Sequence, residues 1–185
     1  MDNTQVIQRS KLFLQVAQKF PDFCYLGDPI LRRKTKLVSI KEGLEIGEKL
    51  GLVLIAYRQI ANIGRGLAAP QIGISKSVFV TYLNDEVQIF INPKIISKSN
   101  KRNRYRELCL SCGFLWGDVV RPDRIVMEWK DKEGKVNRKE FTDFEARLVQ
   151  HEYDHLLGIP NLDKAENKTI EFVTTNPLRE KLRPA

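Results

Sequence analysis

The 185-residue sequence predicts an α+β fold in which mixed or antiparallel strands pack around a central helix, with further helices at the N-terminus. Two observations support this class. Apolar residues recur with helical spacing over 4–20, 40–61 and 142–157, and strand-like runs lie between 78 and 141. The content of 42% hydrophobic and 29% charged residues is that of a globular chain, and no apolar run approaches the roughly 20 residues of a membrane span.

The length predicts one domain, 1–185, with a core of about 24–163. A helix is expected within 1–20, and 164–185 is expected to be a basic C-terminal tail. The net charge of +8 suits acidic partners such as RNA, but no nucleic-acid motif is apparent, so direct DNA binding is not expected. Three cysteines without a recognisable signal peptide favour a cytoplasmic location, and the similarity of the N-terminus to an organellar transit peptide is weaker.

Two helices are predicted before the first strand. The first is expected to continue to Phe20. The second starts at a capping box, Ser39-Ile40-Lys41-Glu42, and reaches about Ala61, where Asn62 and Gly64 end it.

The segment from Gly64 to Gly73 contains three glycines and a proline, so we expect an irregular loop whose backbone approaches another group. Strands over 78–82 and 87–91 are expected to form a hairpin, and Asn92-Pro93 is expected to end the second.

Further along the chain, the basic stretch 98–106 is expected to be an exposed loop, and strands follow over 125–129 and 136–141. A second capping box, Thr142-Asp143-Phe144-Glu145, is expected to open the central helix. After about Glu166 the sequence favours a short helix or a loose tail.

Both histidines of the chain lie in this central helix, in the motif His151-Glu152-Tyr153-Asp154-His155. Residues four apart share a helix face, so the two imidazoles can ligate one divalent metal. Glu152 can then act as general base on a water at that metal. A solvated histidine pair on a surface helix is the alternative.

A third protein ligand is needed to hold a catalytic metal of this kind. Cys109 is favoured, because a thiolate is a strong ligand for iron or zinc. A downstream glutamate, Glu166 or Glu171, and a closed structural zinc site that includes Cys112 are the alternatives. Asn161 stands where one class of metalloproteases has a third histidine, which disfavours that class.

Three motifs in this order resemble those of the peptide deformylase family. G-x-G-L-A-A-P-Q-x-G matches Gly64 to Gly73 in full, and E-G-C-L-S matches Glu107 to Ser111 at four of five positions. Q-H-E-x-D-H-L-x-G matches Gln150 to Gly158 throughout. The resemblance covers about residues 24–163.

The resemblance implies that Cys109, His151 and His155 bind a catalytic divalent metal. In this family the metal is naturally ferrous iron, which zinc, nickel or cobalt can replace. Glu152 would take a proton from the attacking water and later deliver one to the departing amine.

The resemblance also implies an oxyanion hole made by the Gln71 side chain and the backbone N–H of Leu110. Gly66 would pair its backbone with a substrate that lies as an added strand. The reaction would remove the formyl group from N-formylmethionyl nascent peptides, and the basic tail is compatible with contact to the ribosome.

Some positions depart from the family pattern or have less certain roles. Leu108 stands where the family has glycine, and Arg65 occupies the variable position of the glycine segment near the substrate path. Both, together with Leu148, are candidate substrate-binding residues. Glu107 and Arg121 are expected to pair and brace the Cys109 segment, unrelated surface charges being the alternative. A degenerate homologue that binds metal and peptide, or an amidase on another N-acyl substrate, are the alternative functions.

Overall fold

The computed structural model describes residues 3–185, which form three α-helices and nine strands. This arrangement confirms the predicted α+β class. The helices are α1 (Asn3–Lys19), α2 (Ile40–Ala61) and α3 (Asp143–Leu156). The strands are β1 (Gly66–Ala68), β2 (Val78–Leu83), β3 (Glu86–Lys98), β4 (Arg102–Leu108), β5 (Leu115–Pro122), β6 (Arg124–Lys130), β7 (Val136–Thr142), β8 (Glu171–Phe172) and β9 (Arg183–Pro184). Within residues 3–185, no helix has the length and apolar character that crossing a membrane requires.

The strands divide into two sheets. A five-stranded antiparallel sheet has the order β1-β2-β3-β6-β7, and a four-stranded sheet has the order β8-β5-β4-β9. Alternation along β2 places Val78 and Val80 in an apolar cluster with α2, and Phe79 in a second cluster with α3. The five-stranded sheet is therefore covered by α2 on one face and by α3 on the other.

The predicted hairpin is confirmed as β2 and β3, whose register pairs Thr81 with Gln88. The prediction that Asn92-Pro93 ends the second strand is wrong. β3 continues to Lys98 with an irregular register between Ile91 and Lys94. Between these positions β3 has one residue more than β6, as in a β-bulge. Asn92 adopts a φ of 51°, and its side chain accepts from the N–H of Val38 and donates to its carbonyl. These bonds hold the bulge in place, so the strand continues after it.

The glycine segment is more regular than the sequence predicted. Gly66–Ala68 forms β1, the edge strand of the five-stranded sheet, and Ala69–Ile72 forms one turn of 3-10 helix. Gly73 ends this turn at a φ of 76°, a left-handed conformation that glycine adopts without strain. The short strand forms because β2 supplies the hydrogen-bonding partners.

The prediction of an exposed loop over 98–106 is also wrong. Most of this stretch belongs to β4, which pairs with β5 from Arg102 to Leu108, and Asn103 is buried. After Glu166, one turn of 3-10 helix at Pro177–Arg179 agrees with the predicted short helix, whereas the loose tail is wrong because β8 pairs with β5 and β9 pairs with β4. Partners distant in sequence make both segments extended, and local composition carries no sign of those partners.

The two capping boxes have different outcomes. The Ser39 hydroxyl accepts a hydrogen bond from the Glu42 N–H at 3.2 Å, and α2 ends before Asn62, as predicted. The prediction of a capping box at the start of α3 is wrong. The Thr142 side chain makes no capping hydrogen bond, and Glu145 instead pairs with Lys139 at 3.1 Å. Burial along α3, which packs on strands of both sheets, holds this helix in place.

Candidate metal centre and cleft

Three potential ligands meet where the two sheets face α3. The donor atoms of Cys109, His151 and His155 all lie within 4.8 Å of one another, and Cys109 Sγ is 3.2 Å from His155 Nε2. Cys109 directly follows β4, whereas the histidines lie one turn apart on α3. One sulfur and two imidazole nitrogens form a donor set that suits zinc or ferrous iron.

Without a metal, two of these ligand groups favour their protonated forms. Cys112 and burial together raise the pKa of Cys109 to about 11. Burial would lower the pKa of His151, but Cys109 and Glu107 outweigh it and raise this pKa well above its usual value. A metal requires the thiolate and the neutral imidazole, so its binding would release protons from this site. The donor set, and not the protonation of these groups, is what fits a metal ion.

Glu107 is the charged centre beside the cluster. Its carboxylate accepts hydrogen bonds from Arg121 Nε at 2.7 Å and Nη2 at 2.9 Å, from Arg147 Nη1 at 2.5 Å, and contacts His151 Nδ1 at 2.9 Å. Burial alone would raise the pKa of Glu107, but the charge and hydrogen bonds of Arg121 and His151 hold it well below its usual range. Contact through Nδ1 leaves Nε2 of His151 for the ligand cluster.

A wider network fixes this centre. Asp154, on α3, accepts from Arg121 Nη1 at 2.5 Å and from Lys164 Nζ at 2.6 Å. Arg147 also donates to the Asn103 carbonyl at 2.8 Å. Arg147 is not among the predicted site residues, although its position four residues before His151 on the same helix face would have pointed to it.

The alternative third ligands do not join the cluster. Cys112 Sγ donates to Asn161 Oδ1 at 3.2 Å, and Asn161 Nδ2 donates to the Glu107 carbonyl at 3.1 Å. Glu166 pairs with Arg104 and Glu171 pairs with Arg106. Asn161 thus has a structural position between the Cys112 segment and β4.

Glu152 is almost fully buried, and its Oε2 has no hydrogen-bond partner among residues 3–185. Burial raises the pKa of Glu152 to about 7, although the charge of His151 acts in the opposite direction. A Cβ at Gly66 would overlap the Glu152 carboxylate, so only glycine lets β1 pass this close.

Gln71 and Leu110 line the same cleft as the cluster. Gln71 Oε1 accepts from the Ala68 N–H at 2.8 Å, and its Nε2 donates to Ser111 Oγ at 3.2 Å and lies 3.6 Å from Cys109 Sγ. Leu110 is the first residue of a short 3-10 helix, so that helix leaves its N–H without an internal partner.

An open cleft leads to the cluster. Arg65, Gly66, Leu108 and Leu148, all predicted to bind substrate, lie along it. The cleft also includes residues that the sequence analysis did not identify, namely Tyr105, Phe144, Pro177 and Leu178. Tyr105 comes from the stretch wrongly predicted as a loop, and Leu178 lies in the 3-10 turn near the C-terminus. Neither position in the cleft could be deduced from the sequence.

The chain was compared with known proteins. The polypeptide deformylase family model matches residues 21–171. A peptide deformylase of Pseudothermotoga lettingae is 40% identical over 139 residues, which are 75% of this chain and 78% of that protein. One from Borreliella burgdorferi is 39% identical over 164 residues, covering 86% and 96% respectively.

The fold is similar to that of solved members of the family. The structure of a peptide deformylase from Synechococcus elongatus in complex with actinonin is 36% identical, with a TM-score of 0.70 and 79% of each chain covered. The family match, residues 21–171, spans the glycine segment, the cysteine segment and the histidine helix together. This chain therefore belongs to the peptide deformylase family.

Proposed function

We propose that this cleft removes the formyl group from N-formylmethionyl peptides by metal-dependent hydrolysis. One observation carries the proposal: a buried carboxylate with an unpartnered oxygen, Glu152, lies beside a Cys-His-His cluster at the end of an open cleft. An amide is cleaved by water only when the water is activated and the leaving amine is protonated, and this arrangement supplies groups for both tasks.

Cys109, His151 and His155 would hold the metal, and we propose ferrous iron as the native ion, with zinc, nickel or cobalt as substitutes. When bound, a divalent ion lowers the pKa of water to about 7 and polarises a carbonyl. Glu107 and Arg121 act as positioning residues, since the Glu107 carboxylate fixes the orientation of the His151 ring.

Glu152 accepts the proton of the attacking water and later delivers it to the departing amine. A group that both accepts and donates a proton works best when its pKa is close to the working pH, and the pKa of about 7 supports this role. The amide of Gln71 and the N–H of Leu110 donate to the oxyanion that forms at the formyl oxygen. The hydrogen bonds of Gln71 to Ala68 and Ser111 hold that amide in one orientation.

Gly66 binds the substrate backbone. The Arg65 carbonyl accepts from the Tyr82 N–H at 2.7 Å, so it faces β2, and the polar backbone groups of the next residue face the open edge of β1. A peptide in the cleft can add there as a further strand. Leu108, Leu148 and Arg65 then contact its side chains.

The general-base role is tested by Glu152→Ala. We expect a full metal complement and a loss of turnover of about 10²- to 10⁴-fold, because the metal ligands remain while proton transfer is removed. Metal content and turnover of a formyl-Met peptide are measured on the same anaerobic preparation. Activity close to wild type in the metal-loaded variant would exclude this mechanism.

The ligand role of Cys109 is tested by Cys109→Ala, with Cys112→Ala as the matched control. Cys109→Ala should lose the metal, whereas Cys112→Ala should keep it, because the Cys112 thiol donates to Asn161 and is not one of the three clustered ligands. A full metal complement in Cys109→Ala would show that another group is the third ligand.

The presence of Leu108 favours a second candidate function. The chain would then be a homologue that binds metal and peptide without efficient deformylation, or one that acts on another N-acyl group. The Leu108 side chain lies in the cleft next to Cys109, where the family motif has glycine. Anaerobic turnover of formyl-Met, acetyl-Met and unblocked peptides with a defined metal separates these functions. Formyl-specific release supports the deformylase; no release, or preferential release of another acyl group, supports the second candidate.

Action in the cytoplasm on nascent chains, and contact with the ribosome, stay predictions. In the basic C-terminal tail considered for such contact, Arg183 is engaged within the protein, since it forms an ion pair with Asp118. Sedimentation with purified ribosomes at low and physiological salt tests the contact.

A further inference from the structure

Arg65 differs from the other arginines of the cleft because it has no acidic partner. Arg106 pairs with Asp118 and Glu171, and Arg147 pairs with Glu107. Within residues 3–185, no carboxylate oxygen lies within 4.0 Å of a side-chain nitrogen of Arg65. Its charge is therefore not neutralised by an ion pair within that part of the chain.

The guanidinium of Arg65 is nevertheless held in one place. Its central carbon lies 4.6 Å from the centroid of the Phe144 ring. Phe144 in turn packs edge-to-face on Tyr105, with ring centroids 5.7 Å apart. Stacking on an aromatic face restrains an arginine while leaving the N–H donors at its edge available to a carboxylate.

Arg65 lies next to the strand edge at which the peptide is proposed to bind. It directly precedes Gly66, whose backbone faces the open edge of β1, and all three side chains of the stack line the cleft. With its formyl group at the cluster, a peptide added to this edge would pass the stack with the residues that follow the formylated methionine. Successive side chains of that strand point to opposite sides, so only some of them can reach the guanidinium.

We propose that Arg65 makes the enzyme select formylated peptides that carry a carboxylate side chain at the second or third residue. This inference rests on the proposed function and names the class of substrate that the cleft favours. The planar guanidinium can bind a carboxylate through two parallel hydrogen bonds, and it repels a lysine at the same position.

The test compares kcat/KM for formyl-Met peptides with aspartate, asparagine or lysine at the second or third position, using the metal-loaded enzyme. Aspartate should exceed lysine by about fivefold at one of the two positions, as expected for a partly exposed charge pair. The ratio should fall below about twofold in Arg65→Gln and be partly retained in Arg65→Lys, which keeps the charge but loses the planar fork. Raising the salt concentration should reduce the wild-type ratio.

Arg138→Gln is the matched control. It removes the same charge from an exposed position on β7, at the opposite edge of the five-stranded sheet from β1. The aspartate-to-lysine ratio should remain as in the wild type. Equal losses in Arg65→Gln and Arg138→Gln would assign the preference to net charge and overturn the proposal, as would a wild-type ratio near one.

Failure of the proposed function gives a different result. In that case no formyl peptide is turned over by the metal-loaded wild type, and calorimetric binding of the same peptides tests Arg65 independently. Tighter binding of the aspartate peptide that is lost in Arg65→Gln supports the inference, and equal affinities for the aspartate and lysine peptides overturn it.

Discussion

The two sheets pack around the same helix, but different forces hold them. In the five-stranded sheet, Phe90 stacks on Phe79 with ring centroids 4.4 Å apart and packs on Trp129 at 4.9 Å. Beside β4 and β5 of the four-stranded sheet, Glu107 and Arg121 form an ion pair whose side chains are only 4% and 3% exposed. One side of the site is an apolar core, and the other is a buried network of charges.

The difference between the apolar and the charged side matches two different roles, stability of the scaffold and orientation of side chains. Apolar burial is non-directional and stabilises the scaffold, whereas a hydrogen bond fixes the orientation of the group that makes it. Burying charges is costly, and apolar replacements of similar shape are often as stable. The charged side is therefore expected to contribute mainly to the orientation of His151, and the apolar side mainly to stability.

The largest effect is expected for Glu107→Ala, which breaks the charged side. Two buried guanidinium groups, those of Arg121 and Arg147, lose their shared carboxylate, and His151 loses the contact at Nδ1. We expect about 3–5 kcal/mol less stability and about 10- to 100-fold weaker metal binding. Urea denaturation and competitive metal titration measure the two quantities.

Glu107→Gln is the matched control, because it keeps the shape and part of the hydrogen bonding while removing the charge. It should lie between the wild type and Glu107→Ala in both measurements. Wild-type metal affinity in folded Glu107→Ala would mean that the charged network does not orient His151.

The next effect is expected for Phe90→Ala, which breaks the apolar side. The ring is fully buried against three other aromatic rings, so its loss should cost about 3–5 kcal/mol through lost burial and a cavity. Metal affinity and turnover per folded molecule should stay close to wild type. A large drop in metal affinity under conditions in which Phe90→Ala remains folded would contradict the separate roles of the apolar and charged sides.

The smallest effect is expected for Asp118→Asn, on β5 of the four-stranded sheet. Burial opposes ionisation of Asp118, but hydrogen bonds from Arg183 and Arg106 outweigh it and lower its pKa below 3.8. The side chains of Arg183 and Arg106 are 42% and 26% exposed, so water screens both ion pairs. We therefore expect Asp118→Asn to lower the free energy of unfolding by about 1 kcal/mol at neutral pH.

The pH dependence of this variant has a defined sign. Because the pKa of Asp118 is lower in the folded state, its pairs stabilise the protein above pH 3.8, and this contribution disappears as the pH falls through the folded-state pKa. The difference in unfolding free energy between wild type and Asp118→Asn should thus shrink below pH 3.8. A difference that stays constant down to the acid transition would show that Asp118 acts through packing instead.

Local sequence was sufficient for several features. Helical spacing placed His151 and His155 on one face of α3, and Ser39 marked the start of α2. These predictions depend on residues within a few positions of one another, so the backbone geometry of one element decides them. The Thr142 cap shows the limit, because burial between two sheets forms α3 without that hydrogen bond.

Only the tertiary structure decided what surrounds the histidines. Cys109 reaches them from 42 positions upstream (151 − 109), and Arg147 turns from the same helix toward Glu107. The basic stretch over 98–106 and the last residues of the chain became strands because each found a partner far along the sequence. The sequence by itself determined the chemical groups of the site and their spacing on one helix. Strand pairing between distant segments decided which charges and aromatic rings face those groups, because the energy of such pairing depends on partners that local composition does not encode.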